Sequence, residues 1–562
     1  MLRLLVIPLA MLALLAGAVV WTNRRQPPPA DFTFNIRGDN KTLDLGVMSW
    51  QMDMRIAYGL YEGLYTCDPV TLTPIPGSST AAEINPDQTV YTFHIRPEAK
   101  WSNGDDLTAS DFLFAWRRMI EQPAEYSYLF TTSIKNAKEY QKAYLKWKEN
   151  FDSGKPATKP DFKTVGIEAL DHKTLRVTLA QPVVYFLSLC AFPSFMPQYE
   201  PCMRDYAQWD QTHTYVASYD QKFTRPPNLV SNGPYRLQDW TFKRRVRMAA
   251  NEYYWDRAHV KCKTIDQLYI EDQMAALRAY EAKRVDWLAE MDNDLAADLL
   301  TAKRPDLHVF PSFGTYYYDF NCLPKLKDGR TNPFADRRVR RAFAMAVDRD
   351  QIIRTVTRTG ERAANTVIPL GSFPTYHSPP GIRQDIAQAK KLLAEAGYPD
   401  GKGFPHVRIT FNSDFSEHGQ IAQVLRRQWL ENLGVDLELE AVEVKVFSER
   451  LHNHEFEIGR ASWYGDYYDP STFTDVFRSD GDNNDASYNS PEYDALLKKA
   501  SLETNPEKRY QILADAENLL LEDCPVLPLY QYVAHYLYRD NITNIPPDPR
   551  QMIMLQFIGV RK

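Results

Sequence analysis

Histidines, cysteines and clustered carboxylates are the residues with which a chain does chemistry, and here they sit in unpromising patterns. His452-Asn453-His454 places two imidazoles at alternating positions, a spacing that on a strand would suit a metal. No third ligand accompanies them, and they read more simply as surface histidines. The acidic run Asp480-Gly-Asp-Asn-Asn-Asp485 matches a calcium loop only loosely. Its glycine stands second rather than sixth, and Pro491 takes the place of the bidentate glutamate. It reads as a solvated loop. Arg337-Arg338-Val339-Arg340-Arg341 precedes Phe343 and Val347, so its arginines form the polar face of a helix rather than a phosphate site. The six cysteines, Cys67, Cys190, Cys202, Cys262, Cys322 and Cys524, include no CxxC pair, which argues against zinc. They are either disulfides whose pairing spacing does not fix or buried thiols. GxSxG, HExxH, GxxxxGK[ST] and GxGxxG do not occur, and no nucleophile, base and orienting residue come forward together. The expectation is no metal, no cofactor and no catalytic residue.

The elements that would position a site are mixed α and β. Tyr91, Phe93 and Ile95 alternate with polar residues, as in a half-buried strand, and Leu175, Val177 and Leu179 do the same. Thr108-Ala-Ser-Asp111 reads as a capping box, followed by Phe112, Ala115, Trp116 and Met119 on one helical face. Asp385 would cap a second helix with Ile386, Ala389, Leu393 and Ala396 inward, ending at Gly397. Between 408 and 442 a strand with Ile409 and Phe411 leads to a helix lined by Ile421, Leu425 and Leu433. An alternating Val435, Leu437, Leu439 follows, and the whole spells a βαβ crossover. No repeat of 20–50 residues is present, and proline-rich stretches at 154–160, 224–234 and 374–381 are candidate connections.

The chain has 562 residues, enough for two to four domains at ~100–200 residues each. Hydrophobic residues at 44% and charged residues at 25% exclude a disordered or collagen-like chain. The net charge of -6 weighs against nucleic-acid binding. Thirteen per cent aromatics, with 33 Tyr, read first as a large core and second as a recognition surface. Leu4 to Trp21 is the one stretch apolar enough to meet a membrane. Interrupted by Pro8 and flanked by Arg3 and Arg24-Arg25, it is marginal against the ~20 residues a span needs. It reads as a secretory signal cut after Ala18, or as an uncleaved inner-membrane anchor, with Pro27-Pro28-Pro29 as a stiff spacer. No cysteine lies in or just after it, so the chain is not a lipoprotein. Its body is expected in the periplasm or on the extracytoplasmic face of the membrane.

Several segments together resemble the extracellular solute-binding proteins of peptide and nickel ABC importers. The longest runs from Val90 through Trp101-Ser-Asn-Gly-Asp-Asp-Leu-Thr-Ala-Ser-Asp to Phe112. Others are Leu60-Tyr-Glu-Gly-Leu64, Ser231-Asn-Gly-Pro-Tyr-Arg-Leu237, Thr315-Tyr-Tyr-Tyr-Asp-Phe-Asn321, Val339-Arg-Arg-Ala-Phe343, Ala389-Lys-Lys-Leu-Leu-Ala-Glu-Ala-Gly-Tyr398, Arg460-Ala-Ser-Trp-Tyr-Gly-Asp-Tyr467 and Pro528-Leu-Tyr-Gln-Tyr532. They fall in the family's order from about 32 to 562. The resemblance implies an α/β fold of the two-lobed periplasmic-binding-protein type II, in its large three-domain peptide-binding variety. Domain I would comprise 32–74, 208–313 and 532–562; domain II would be an insertion at 75–207; domain III would span 314–531. A two-strand hinge would let the lobes close on a ligand.

The resemblance also implies a function: capture of oligopeptides and delivery to an ABC permease with its ATPase subunits, by a monomer without enzymatic activity. A receptor for varied peptides reads their shared backbone and termini, with the peptide added as a strand. Asp466 matches the family's acidic residue for the peptide ammonium. Arg460 and His418 match its cations for the peptide carboxylate. Glu62, Gly63, Leu64, Tyr128, Tyr317, Trp463 and Tyr532 would line backbone and pockets. Three departures stand out. Thr357 replaces a lysine, with Arg358 beside it; Gly314 and Tyr464 replace two cysteines; and Ala289-Glu290-Met291 lacks an expected asparagine. The alternatives are the same fold with another solute (a dipeptide, murein peptide, metal chelate, haem or oligosaccharide) and, more remotely, an exported peptide hydrolase.

Overall fold

The computed structural model describes residues 27–562 apart from 70, 72, 374 and 562. The expected signal or anchor at 4–21 lies outside the described residues. Two large hydrophobic cores define two lobes. One draws on 32–289 and 534–558, with Tyr467 reaching in from the other side; the second is built from 313–530.

One mixed sheet runs through both lobes. Its order is Tyr235–Thr241, Arg245–Ala250, Thr264–Tyr269, Phe32–Ile36, Trp287–Leu288, Val526–Tyr538, Leu307–Phe320, Ile458–Tyr464, Arg408–Asn412 and Glu438–Val442. Phe32–Ile36 is buried at every position and pairs in parallel on both sides, as expected of a strand covered on both faces. Leu307–Phe320 and Val526–Tyr538 are long enough to belong to both lobes, and they pair antiparallel. Their register breaks between Pro311 and Thr315. An interrupted ladder bends more readily than a continuous one, so this break is the natural hinge.

The second lobe contains the expected crossover. Arg408–Asn412 and Glu438–Val442 pair in parallel around the helix Ser416–Leu433. Ile421, Leu425, Trp429 and Leu433 are buried, and Gly434 at φ 71° ends the helix in the left-handed region. On the first lobe, a smaller sheet containing Val90–His94 and Thr174–Thr178 packs with the helix Ala109–Glu121. Thr108 and Asp111 form the expected capping box, and Phe112, Ala115, Trp116 and Met119 are buried. Arg118 fastens this subdomain to the rest of the lobe through a bidentate pair with Asp44, at 2.6 and 2.7 Å, inside the core.

Three sequence expectations change. His452 and His454 do not alternate on a strand: the helix Val444–His452 ends at the first, and the second sits in a turn at φ 57°. Arg340 is not on the polar face of the helix Arg337–Met345. It is buried and donates to the carbonyls of Asp523 and Cys524 at the end of the helix Pro506–Asp523, where a cation satisfies otherwise unpaired acceptors. Ile386 is 36% exposed, although Ala389 and Leu393 of the same helix face inward.

Arg118→Ala would leave the buried Asp44 carboxylate without its cation. The expected loss is about 3–5 kcal/mol, read from the urea unfolding midpoint. An unshifted midpoint would show that the subdomain is held by its apolar contacts alone.

Candidate binding cleft

The strand Ile458–Tyr464 carries both ends of the candidate site. Residues alternate across a strand, so Arg460, Ser462 and Tyr464 share one face and Trp463 takes the other. Beyond Tyr464, the amide of Gly465 donates to the Phe313 carbonyl at 2.8 Å. A Cβ at 465 would sit 2.0 Å from the Phe313 ring, so only glycine lets the chain turn here. The turn presents Asp466, whose own amide donates to Thr472 Oγ1 at 3.0 Å.

The Asp466 carboxylate accepts the hydroxyl of Tyr128, which belongs to the opposite lobe. Burial pushes the Asp466 pKa up to about 7; Glu125 adds in the same direction and the Tyr128 hydrogen bond opposes it. Beside this contact, Tyr185 stacks on Tyr467 across the gap, with centroids 4.1 Å apart and planes at 9°. Arg509, paired with Asp469 at 2.6 Å, lies 5.9 Å from the Tyr185 ring. Lys138 reaches Asp480 at 3.8 Å from the same side, so the acidic loop supplies an interlobe ion pair. The lobes are therefore closed. A cavity of about 320 Å³ remains between them, lined by Tyr128, Tyr185, Trp463, Tyr467, Thr472 and Asp475.

At the other end Arg460 lies 4.7 Å over the Tyr316 ring and donates to the Tyr532 hydroxyl at 3.0 Å. Its Nε is buried without a partner, and among the described residues no carboxylate lies within ion-pair reach of it. Tyr532 stacks on Tyr464 at 4.7 Å. The candidate site is thus a half-buried carboxyl in a turn and a largely sequestered cation on the strand before it, framed by tyrosines.

Asp466 meets Tyr128, which lines the cavity with Trp463, while Arg460 and Tyr532 meet on the opposite face of the strand Ile458–Tyr464; the remaining candidates lie apart from both groups. His418 is only 3% exposed, behind Tyr316, whose hydroxyl lies 3.1 Å from Nδ1. Burial, with the nearby Arg460 charge, lowers its pKa to about 3, so it offers no positive charge to a carboxylate. Tyr317 packs on Phe477 on the sheet face it shares with Trp463, and its backbone is enclosed between two paired strands. Glu62 turns into the first lobe, where its carboxylate accepts from Ser78, Tyr254 and Trp255 at 2.9, 2.5 and 2.7 Å. Gly63 packs against the Cys190 carbonyl, and the carbonyls of Gly63 and Leu64 already accept from Ser78 and Gly77. This segment is internal scaffolding rather than a free edge.

The departures have structural counterparts. Gly314 and Tyr464 are register partners, and the tyrosine ring covers the glycine. Thr357 bonds Glu361 at 2.9 Å, and Arg358 turns to Asp294 of the first lobe at 2.5 Å. Glu290 accepts from Arg55 and from the Arg37 amide, at 3.1 and 3.2 Å. Tyr316 and Tyr467 lay in resembling segments without being singled out, and Tyr185 had no distinguishing mark in the sequence. Tyr185 sits in the apolar run Val183-Val184-Tyr185-Phe186, which reads as core.

Two lobes, a two-strand hinge and a charged cleft define a binding protein of the ligand-trapping kind. The family model described as "Bacterial extracellular solute-binding proteins, family 5 Middle" matches residues 73–485, and the chain belongs to that family. Oligopeptide-binding protein OppA of Bacillus subtilis is 30% identical over 520 residues, covering 91% of this chain and 89% of that protein. Among solved structures, the oligopeptide-binding protein OppAIV of Borrelia burgdorferi superposes with a TM-score of 0.78 at 28% identity, covering 94% of this chain and all of that one. Peptide-bound OppA of Listeria monocytogenes superposes with a TM-score of 0.73 at 28% identity, covering 95% of this chain and all of that one. The family places the chain outside the cytoplasm, and no helix of the described residues is long and apolar enough to cross a membrane.

The raised Asp466 pKa gives a pH signature. A bound ammonium favours the ionised carboxylate, so binding lowers that pKa. Affinity for an amine-bearing ligand should therefore rise with pH up to about 7 and then level off. Near pH 6.5, binding should release on the order of half a proton, read by calorimetry in buffers of different ionisation enthalpy. Proton uptake, or constant affinity from about pH 5.5 to 8, would contradict this.

Proposed function

We propose that this protein captures oligopeptides outside the cytoplasmic membrane and delivers them to an ABC transporter permease driven by its ATPase subunits. The observation that carries this reading is the pair Asp466 and Arg460, one in the turn after the strand Ile458–Tyr464 and the other on it, neither with a counter-ion among the described residues. A zwitterion supplies both missing charges at once. The two residues are six apart, at most about 20 Å along an extended chain. Side chains reaching inward from both ends leave room for roughly three to five extended residues.

In this reading Asp466 receives the ammonium and Arg460 the carboxylate. Tyr128, Trp463 and Tyr532 flank the backbone between them. At ~4 Å and an effective dielectric of ~20, the ammonium–carboxylate attraction is about 4 kcal/mol before desolvation, enough to set the register of the peptide. Residues 32–74, 208–313 and 532–562 form one domain, 75–207 an inserted domain and 314–531 the second lobe. The separate cores and the register break at Pro311 to Thr315 support that division. The protein works as a monomer that holds its ligand without transforming it. Its N-terminal segment directs export or retains it at the inner membrane.

Asp466→Ala should weaken binding of tri- to pentapeptides by ~2–5 kcal/mol in isothermal titration, because the ammonium would be left unpaired. N-terminal acetylation of the peptide should do comparable damage to the wild type. Unchanged affinity in both experiments would remove the ammonium role. Mass spectrometry of ligand released from the purified protein should find peptides; a sugar or metal chelate there would redirect the assignment.

A further inference from the structure

The Arg460 end of the cleft holds more negative charge than a peptide carboxylate would call for. Glu417 stands in the first turn of the helix Ser416–Leu433, next to His418, and His418 contacts the same Tyr316 ring over which Arg460 lies. Burial raises the Glu417 pKa, Arg460 pulls it back and Glu361 pushes it up again. Glu361 immediately precedes Arg362, whose backbone pairs with Gln531, the residue before Tyr532.

The other charges around this end are engaged with one another. Arg37 faces Asp292 at 4.0 Å, Arg358 holds Asp294 at 2.5 Å, and Arg55 holds Glu290 at 3.1 Å. Glu417 accepts only a neutral bond, from Asn293 Nδ2 of the opposite lobe at 2.9 Å. Glu361 accepts from Thr357, from the Thr359 hydroxyl, and from the Thr359 amide at 3.1 Å. Among the described residues, neither glutamate has a cation within ion-pair reach. At this end one guanidinium has its Nε buried and unbonded, and two carboxylates are met by neutral donors alone. Uncompensated charges taken from water are strongly unfavourable, so a ligand that brings their complements binds best. The complement of Arg460 is an anion, and that of Glu417 and Glu361 is a cation beside it.

We infer that Glu417 and Glu361 select peptides whose last residue carries a positively charged side chain, lysine-like or arginine-like, while Arg460 holds that residue's carboxylate. This rests on the peptide-receptor reading and adds a preference to it. The terminal carboxylate and side-chain cation of one residue lie a few ångströms apart, so a single residue can answer both kinds of charge. A neutral side chain would press against two carboxylates with nothing to pair them.

The test compares Ala-Ala-Lys with Ala-Ala-norleucine, and the tetrapeptides Ala-Ala-Ala-Lys with Ala-Ala-Ala-norleucine, by isothermal titration. Norleucine keeps the shape of the lysine stem and removes its charge. The wild type should bind the lysine peptides at least tenfold more tightly. Glu417→Gln should shrink that ratio, Glu417→Gln with Glu361→Gln should bring it within twofold, and Glu417→Lys should transfer the preference to a C-terminal glutamate. A wild-type ratio within twofold, or a ratio untouched in Glu417→Gln, overturns the inference. Thermal unfolding of each variant verifies its fold, and Glu417→Gln serves alone if the loop around Glu361 is disturbed. If neither peptide binds the wild type, the peptide reading itself falls, and the preference with it.

Discussion

Charges removed from water demand partners, and several buried arginines of this molecule have them. Arg118 has Asp44, Arg247 has Asp266 at 2.6 Å, and Arg509 has Asp469. Arg340 has the carbonyls at a helix end. Against that background, Arg460 without a carboxylate and Asp466 with its raised carboxyl are exceptions, as are Asp319, Glu517 and Arg349 inside the second lobe, and Asp466 alone of these is met by a residue of the opposite lobe. A carboxylate relieved only by a tyrosine hydroxyl and a guanidinium relieved only by another are poorly satisfied states. They are tolerable when a ligand completes them. The rest of the architecture can be understood as the means of holding these two groups apart and closing a wall over them.

That wall comes from the first lobe. Tyr128 and Tyr185 cross to Asp466 and Tyr467, and at the far end Asn293 and Asp294 cross to Glu417 and Arg358. Both ends of the gap therefore carry contacts that exist only when the lobes meet. The bend that allows this lies where Leu307–Phe320 and Val526–Tyr538 lose register, so closure asks for few changes within either core. Hinge motion of this kind couples ligand capture to a change of shape that a partner can read.

Much of the scaffold was legible because burial leaves periodic traces. The crossover at 408–442 and the capped helix after Thr108 follow from alternation and from caps. The site was legible in a different way. Asp466 and Arg460 carry no signal in composition or spacing, and stood out only through the resemblance of the segment Arg460 to Tyr467. The misreadings have physical causes. Three consecutive tyrosines at 316–318 cannot declare which of them face the ligand, since strand phase is set by partners: Tyr316 shares a face with Arg460, and Tyr317 the opposite face with Trp463. His418 looked like a cation because its charge depends on burial, which the sequence does not display. Glu62 looked available because its partners, Tyr254 and Trp255, are far along the chain.

The central claim is that one strand holds a peptide by its two ends. A crystal structure of the protein with a bound tripeptide tests it most directly. The account predicts the peptide ammonium within about 3 Å of the Asp466 carboxylate and the terminal carboxylate on the Arg460 guanidinium, with the chain extended between Trp463 and Tyr532. A peptide lying in the reverse direction, or seated where it touches neither residue, would contradict it.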